Sequence, residues 1–112
     1  MTDRRALVRD YKDREVAAGI YAVRCLVTNE TWIGGTPDLA TRQSGVWFSL
    51  RMGGHSCRSL QAAWKTHGET AFGFEVLEVL DDEGLERLGR ASLLVERREH
   101  WRAQLHAEGL RR

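Results

Sequence analysis

The sequence predicts an α+β fold, a small three-stranded, mostly antiparallel sheet flanked by helices. Three observations carry this expectation. Gly19 to Val27 and Thr31 to Gly34 are strand-like runs joined by an Asn29-Glu30 turn, which reads as a hairpin. Ala71 to Leu80 alternates Phe72, Phe74 and Val76 with Gly73 and Glu75, the period-two pattern of a half-buried strand. The segments between and after these strands carry apolar residues at helical spacing, so helices must cover the sheet.

Taken in order, Asp3 to Glu15 is helical in character, with Ala6, Leu7 and Tyr11 set among charges but no strong apolar stripe. The hairpin follows, and Gly34, Gly35 and Pro37 end its second strand. Asp38 to Arg42 can begin a helix with Thr36 or Asp38 as cap, and Val46 to Met52 is an apolar helical segment ended by Gly53-Gly54. Ser56 can cap the next helix, in which Leu60, Ala63 and Trp64 recur at three and four residues and which Gly68 stops. After the third strand, Asp81-Asp82-Glu83 places acids at a helix start, where the dipole favours them. That helix, in one or two segments, runs to about Ala107 with Leu93, Leu94, Trp101 and Leu105 near one stripe.

A chain of 112 residues with 42% apolar content supports one core, so residues 1–112 are expected to form a single domain. No apolar run approaches the eighteen or so residues of a membrane span, and the charged N-terminus lacks a signal-peptide core, so the expected location is cytoplasmic. Cys25 lies in an apolar strand and reads as a small buried hydrophobe. Cys57, two residues past His55, does not complete a four-ligand zinc site. The net charge of +1 hides an uneven distribution. Leu39 to Gly68 contains no acid but holds Arg42, Arg51, Arg58 and Lys65, whereas acids gather at Glu75, Glu78, Asp81, Asp82, Glu83 and Glu86. The reading is a basic face opposite an acidic one, with ordinary solvated helix faces as the plain alternative.

The hairpin motifs carry a resemblance. Gly19-Ile20-Tyr21 and, ten residues on, Trp32-Ile33-Gly34 resemble the paired motif of the GIY-YIG nuclease superfamily. Thr36-Pro37-Asp38-Leu39-Ala40-Thr41-Arg42 is similar to the family's threonine-to-arginine segment, and Leu60 to Trp64, Gly68 and Phe72 to Leu77 are similar to its later helix and strand. The match spans about residues 17 to 105, and the pattern from Leu50 through His55 to Trp64 resembles small stand-alone bacterial members. The resemblance implies an α/β sandwich and metal-dependent hydrolysis of nucleic-acid phosphodiesters, with DNA expected ahead of RNA as partner.

Phosphodiester cleavage needs an activated water, a counter-charge for the transition state and help for the leaving oxygen. The resemblance implies that Tyr21 orients or deprotonates the nucleophile. A free phenol titrates near ~10, so it would act as a base only with its pKa lowered. Arg42 matches the family's catalytic arginine, whose planar fork can hold two phosphate oxygens. Trp32 stands where the family usually has tyrosine, and its indole offers one donor and no titratable hydroxyl. It can pack the hairpin or stack on a base. His55, after two glycines and before a helix, is a further catalytic candidate that could reach a phosphate. The acid-free segment gives Arg51, Arg58 and Lys65 as nucleic-acid contacts. The implied cofactor is Mg²⁺ (or Mn²⁺), held by a glutamate on the last helix. Aligning Trp101 with the family's aromatic puts that position near Arg98, which leaves Glu99, one residue away, as the first candidate ligand and Glu96 as the second. Solvated pairing of either glutamate with Arg97, Arg98 or Arg102 is the plain alternative. Two other classes remain open, a catalytically impaired nucleic-acid-binding module of the same fold and an unrelated α+β interaction domain.

Overall fold

The computed structural model of the chain describes residues 17–80 and 87–109. The helix expected over residues 3–15 and the acidic helix start at Asp81-Asp82-Glu83 lie outside the described residues. The sheet is built around β1 (Gly19–Cys25), which pairs antiparallel with β2 (Thr31–Thr36) on one side and with β3 (Phe72–Val79) on the other. A fourth strand, β4 (Glu108–Gly109), pairs parallel with β2 and gives the order β3-β1-β2-β4. The expected three-stranded sheet is therefore corrected to a four-stranded mixed one. The physical reason is the length of β4. Two residues carry no alternation, and their pairing with Trp32 and Ile33 is set by where the last helix ends rather than by local pattern.

Alternation along β1 sorts two cores. Tyr21, Val23 and Cys25 point to one face, where α1 (Leu39–Arg51) and α2 (Arg58–His67) bury Leu39, Val46, Leu50, Leu60 and Trp64. Ile20 and Ala22 point to the other, where α3 (Arg87–Leu105) contributes Leu94 and Trp101 against Ile33 and Leu77. Between Ile20 and Tyr21 the register with β3 slips, so that Ile20 faces Glu78 and Tyr21 faces Val76. Leu77 is the extra residue of this bulge.

Local chemistry explains where the elements stop. Asn29 turns the hairpin at φ 64, a conformation asparagine tolerates. Asp38 caps α1 by accepting from the Ala40 amide at 3.1 Å, which settles the cap between Thr36 and Asp38. The hydroxyl of Thr36 is buried and accepts from the Asp38 amide at 3.1 Å, fixing the turn that leads into α1. The two expected helical segments, 38–42 and 46–52, are one continuous helix through Gly45. Gly53 ends it at φ 76, and its amide and that of Gly54 donate to Leu50 and Ser49 carbonyls. The expected Ser56 cap is corrected. Cys57 is the N-cap of α2 and makes no side-chain cap bond, and Glu108 from β4 instead accepts hydrogen bonds from Ser59 Oγ at 2.7 Å and Cys57 Sγ at 3.2 Å. Among the described residues no helix is long and apolar enough to cross a membrane.

Candidate active site

Two glycines make room for the site. A Cβ on Gly34 would run into the ring and hydroxyl of Tyr21, its partner across the hairpin, so only glycine lets that ring lie over β2. A Cβ on Gly19 would meet the Glu78 carbonyl and the Leu39 side chain, so glycine there lets α1 start hard against β1. Tyr21 is fully buried and stacked on Phe74, with centroids 5.0 Å apart. Its hydroxyl has no hydrogen-bond partner among the described residues. Burial pushes the phenol above its ordinary pKa, and the nearby Arg42 charge offsets this only in part. Tyr21 is thus a neutral phenol at physiological pH.

Arg42 is the fourth residue of α1, and the Asp38 cap fixes where it emerges. Its guanidinium carbon lies 6.0 Å from the centre of the Tyr21 ring, at the outer edge of cation–π range. The same charge reaches His55. Burial holds the His55 imidazole below its ordinary pKa, and Arg42 lowers it further. The Cys57 amide donates to His55 Nδ1 at 3.0 Å, so the proton of the neutral ring sits on Nε2, which is left as a donor. Gln61 fastens this loop from α2. It accepts from the His55 amide at 3.0 Å while its own amide donates to the Leu50 carbonyl at 3.0 Å. Tyr21, Arg42 and His55 therefore form one electrostatic group.

Arg42 also lines an open cleft of about 520 Å³ between the end of β2 and the side of α3. One wall is Gly35, Pro37 and Arg42. The other is Ala91, Leu94, Val95 and Arg98, a stripe at i, i+3, i+4 and i+7. Sequence reasoning missed Arg98 as a cleft residue, although its position was the one that the aligned Trp101 pointed to. It missed Gln61 as well, because an exposed-looking helical glutamine carries no signal of what its amide bridges.

Other expected residues are elsewhere. Trp32, expected to pack the hairpin or stack on a base, packs in the core. It is 1% exposed, sits opposite Val23 rather than Tyr21, and donates from Nε1 to Ser59 Oγ at 2.9 Å. Arg51 lies at the end of α1 and is held by both oxygens of Glu69, each at 2.7 Å. Arg58 and Lys65 lie two turns apart on α2, both exposed, and Arg58 lines a second cleft with Ser56, Cys57, Ser59 and Glu108. Glu99 and Glu96 do not line the Arg42 cleft. Glu99 is one residue, and so ~100° of helix rotation, away from Arg98, and it accepts from Arg102 Nε at 3.2 Å beside Gly109. Glu96 is exposed and falls between the stripe residues. Among the described residues no three His, Cys, Asp or Glu side chains are grouped to hold a metal ion. A hard divalent cation wants carboxylate or carbonyl oxygens, and the described residues lining this cleft include two arginines and no carboxylate. The residues described do not fit Mg²⁺ or Mn²⁺ there.

Comparison with solved structures places this geometry. The catalytic domain of the homing endonuclease I-TevI superposes with a TM-score of 0.69 at 23% identity, covering 85% of this chain and 99% of that one. A point mutant of the catalytic domain of intron endonuclease I-TevI gives 0.68 at 26% identity, covering 81% and 86%. This is the GIY-YIG fold. Searches against models of protein families and against curated proteins gave no match. In this GIY-YIG domain the two name-giving motifs face each other across the β1–β2 hairpin, and the arginine eight residues past Gly34 stands on the first turn and a quarter of α1.

Proposed function

We propose that this GIY-YIG domain is an endonuclease that hydrolyses nucleic-acid phosphodiester bonds, with DNA as the first substrate class. The observation that supports it is the grouping of Tyr21 and His55 around Arg42, which itself lines an open cleft, on a fold whose solved neighbours are endonuclease catalytic domains. Each side chain has a part that its own chemistry allows. The Tyr21 hydroxyl, buried and without a hydrogen-bond partner among the described residues, is the group assigned to orient the attacking water when substrate opens the site, and as a neutral phenol it does not abstract the proton on its own. Arg42 supplies a fixed fork for the charge that builds on the phosphate oxygens. His55 offers its Nε2 proton to a phosphate or leaving oxygen while Nδ1 stays bound to the Cys57 amide.

Cleavage of duplex, branched and single-stranded substrates, run in Mg²⁺, Mn²⁺ and EDTA, tests this reading. Arg42→Ala should lower the rate by ~10²–10³, because one donor to a developing charge is commonly worth that much. Arg42→Lys should recover little, since a point charge does not reproduce the fork. Wild-type rates in Arg42→Ala would remove the catalytic assignment. A second reading, a nucleic-acid-binding module that keeps the fold without cleaving, is favoured by two observations, the indole of Trp32 engaged in the core and a cleft with no carboxylate among its described lining residues. It takes over if the wild-type protein is inert on every substrate and in every metal.

A further inference from the structure

We infer that Gln61 is a positioning residue, whose side-chain amide sets His55 at the place and in the tautomer from which its ring donates to a phosphate oxygen beside Arg42. The inference deepens the nuclease reading and rests on it, since the phosphate at Arg42 is the substrate of that reading. It starts from a loop whose first part is not held by packing. Gly53 and Gly54 separate α1 from His55, and a Cβ at either would meet nothing within 4 Å. Gly53 also sits at φ 76, a conformation that glycine adopts without strain. The path up to His55 is therefore fixed by hydrogen bonds, and Gln61 makes three of those that close the loop. Its Oε1 accepts from the His55 amide at 3.0 Å and its Nε2 donates to the Leu50 carbonyl at 3.0 Å. Its own backbone amide donates to the Cys57 carbonyl at 3.0 Å.

Both ends of this bridge stand on packed helix. Leu60, the residue before Gln61, is fully buried in the core, and Leu50 is 1% exposed. Leu50 lies on the helix that carries Arg42, so the amide ties His55 to the same helix as the guanidinium. The Leu50 carbonyl also accepts from the Gly53 amide at 3.1 Å, which uses both of its lone pairs. The Cys57 amide then meets Nδ1 of the ring held in this way, at 3.0 Å, and leaves the proton on Nε2. Burial, and after it the Arg42 charge, hold the ring below its ordinary pKa, so at neutral pH it carries one proton to give. The bridge needs an acceptor and a donor on one planar group. A primary amide has both, whereas a carboxylate has no donor for Leu50 and an ammonium has no acceptor for His55. Asparagine has the right group on a stem one methylene shorter. Gln61 touches no substrate here and acts through His55, so its effect must vanish when His55 is removed.

The test joins ring-nitrogen NMR of labelled histidine to a double-mutant cycle, with His55→Gln assigning the His55 signals. Wild type should show one set of His55 ring signals, in the Nε2–H tautomer. Its His55 amide should exchange at least about tenfold more slowly than an unprotected one, a readout that needs no variant. Gln61→Met keeps the length of the side chain without donor or acceptor, and a thermal melt establishes that it is folded at the assay temperature. It should split or broaden the His55 ring signals. It should also lower kcat for a DNA duplex in Mg²⁺ or Mn²⁺ by about tenfold to a hundredfold, with KM within about twofold of wild type. In a His55→Gln background the same substitution should cost less than about twofold more. Unchanged ring signals in folded Gln61→Met overturn the positioning role, as does the full loss of rate repeated in the His55→Gln background. A His55 amide that exchanges at the unprotected rate overturns it too, and decides the matter if Gln61→Met does not fold. Any of these results in a protein that cleaves leaves the nuclease reading standing. A wild type inert on every substrate removes the nuclease reading instead, and the ring signals and amide exchange then decide by themselves whether Gln61 sets His55.

Discussion

Tyr21 shows how much one hydroxyl decides. It is fully buried and has no hydrogen bond among the described residues, a state that ordinarily costs about 1–3 kcal/mol relative to a paired hydroxyl. Tyr21→Phe removes that cost and keeps the stack on Phe74. The variant should melt at or above the wild-type temperature, by up to about 1 kcal/mol of added stability, while cleavage is lost. A destabilised Tyr21→Phe would mean the hydroxyl is bonded in solution. His55 makes a prediction of the opposite sort, in pH. Its folded pKa lies below the unfolded value of roughly 6.5. Above that value the ring is neutral in both states, and its contribution to stability is intact. As pH falls from about 6.5 through the lowered folded value, the unfolded chain takes up the proton first, and stability is lost. Below the folded value the loss is complete and constant. His55→Gln should therefore show a smaller drop in melting temperature between pH 7.5 and pH 5 than wild type. An unchanged drop would mean that other groups carry the acid sensitivity.

At the scale of elements, the site depends on where α1 begins. Asp38 accepts from the Ala40 amide and so fixes the first turn, and Arg42 follows within that turn and the next. Asp38→Ala should cost about 1 kcal/mol of stability. It should also lower cleavage beyond what that loss of folded protein explains, because fraying moves the guanidinium off the Tyr21 ring; an unchanged rate per folded molecule would separate cap from site. This element was legible from sequence because a cap is local chemistry, an acid before an apolar period. The hairpin and β3 were legible for the same reason, and the paired motifs set Tyr21 against Gly34 across the hairpin. The features that sequence reasoning did not reach are tertiary. β4 is two residues whose pairing depends on the end of α3, and the hydrogen bonds that Glu108 accepts from the Ser59 and Cys57 side chains depend in turn on β4. Trp32 was placed at the site by its motif position. In the folded chain the indole ring is buried and its N–H is satisfied by the hydroxyl of Ser59, itself an exposed residue.

The whole molecule tests whether an acid-free stretch of sequence is an acid-free surface. Leu39 to Gly68 lacks carboxylates, yet Glu69, the next residue, folds back to hold both donors of Arg51 at 2.7 Å, and Glu108 returns from the far end of the chain to the start of α2. The stretch is basic along the chain and partly neutralised in space. Charge-deleting variants should separate these cases. A phosphate contact contributes about 0.9 to the slope of log affinity against log salt. Arg51→Gln removes a charge that Glu69 already balances, so the slope for duplex DNA should change little and only a weak exposed ion pair is lost. Lys65→Gln removes an exposed charge on the outer face of α2, for which no ion pair is found among the described residues, and should lower the slope by close to one contact. Arg58→Gln stands between them, because it shares its cleft with the Glu108 carboxylate. The order Lys65, Arg58, Arg51 in effect on the slope, read from anisotropy titrations at several salt concentrations, is what the folded charge distribution requires. Equal effects from all three would mean that DNA displaces Glu69 and Glu108 from their partners, and the linear charge pattern of the sequence would then be the better guide to binding than the surface it folds into.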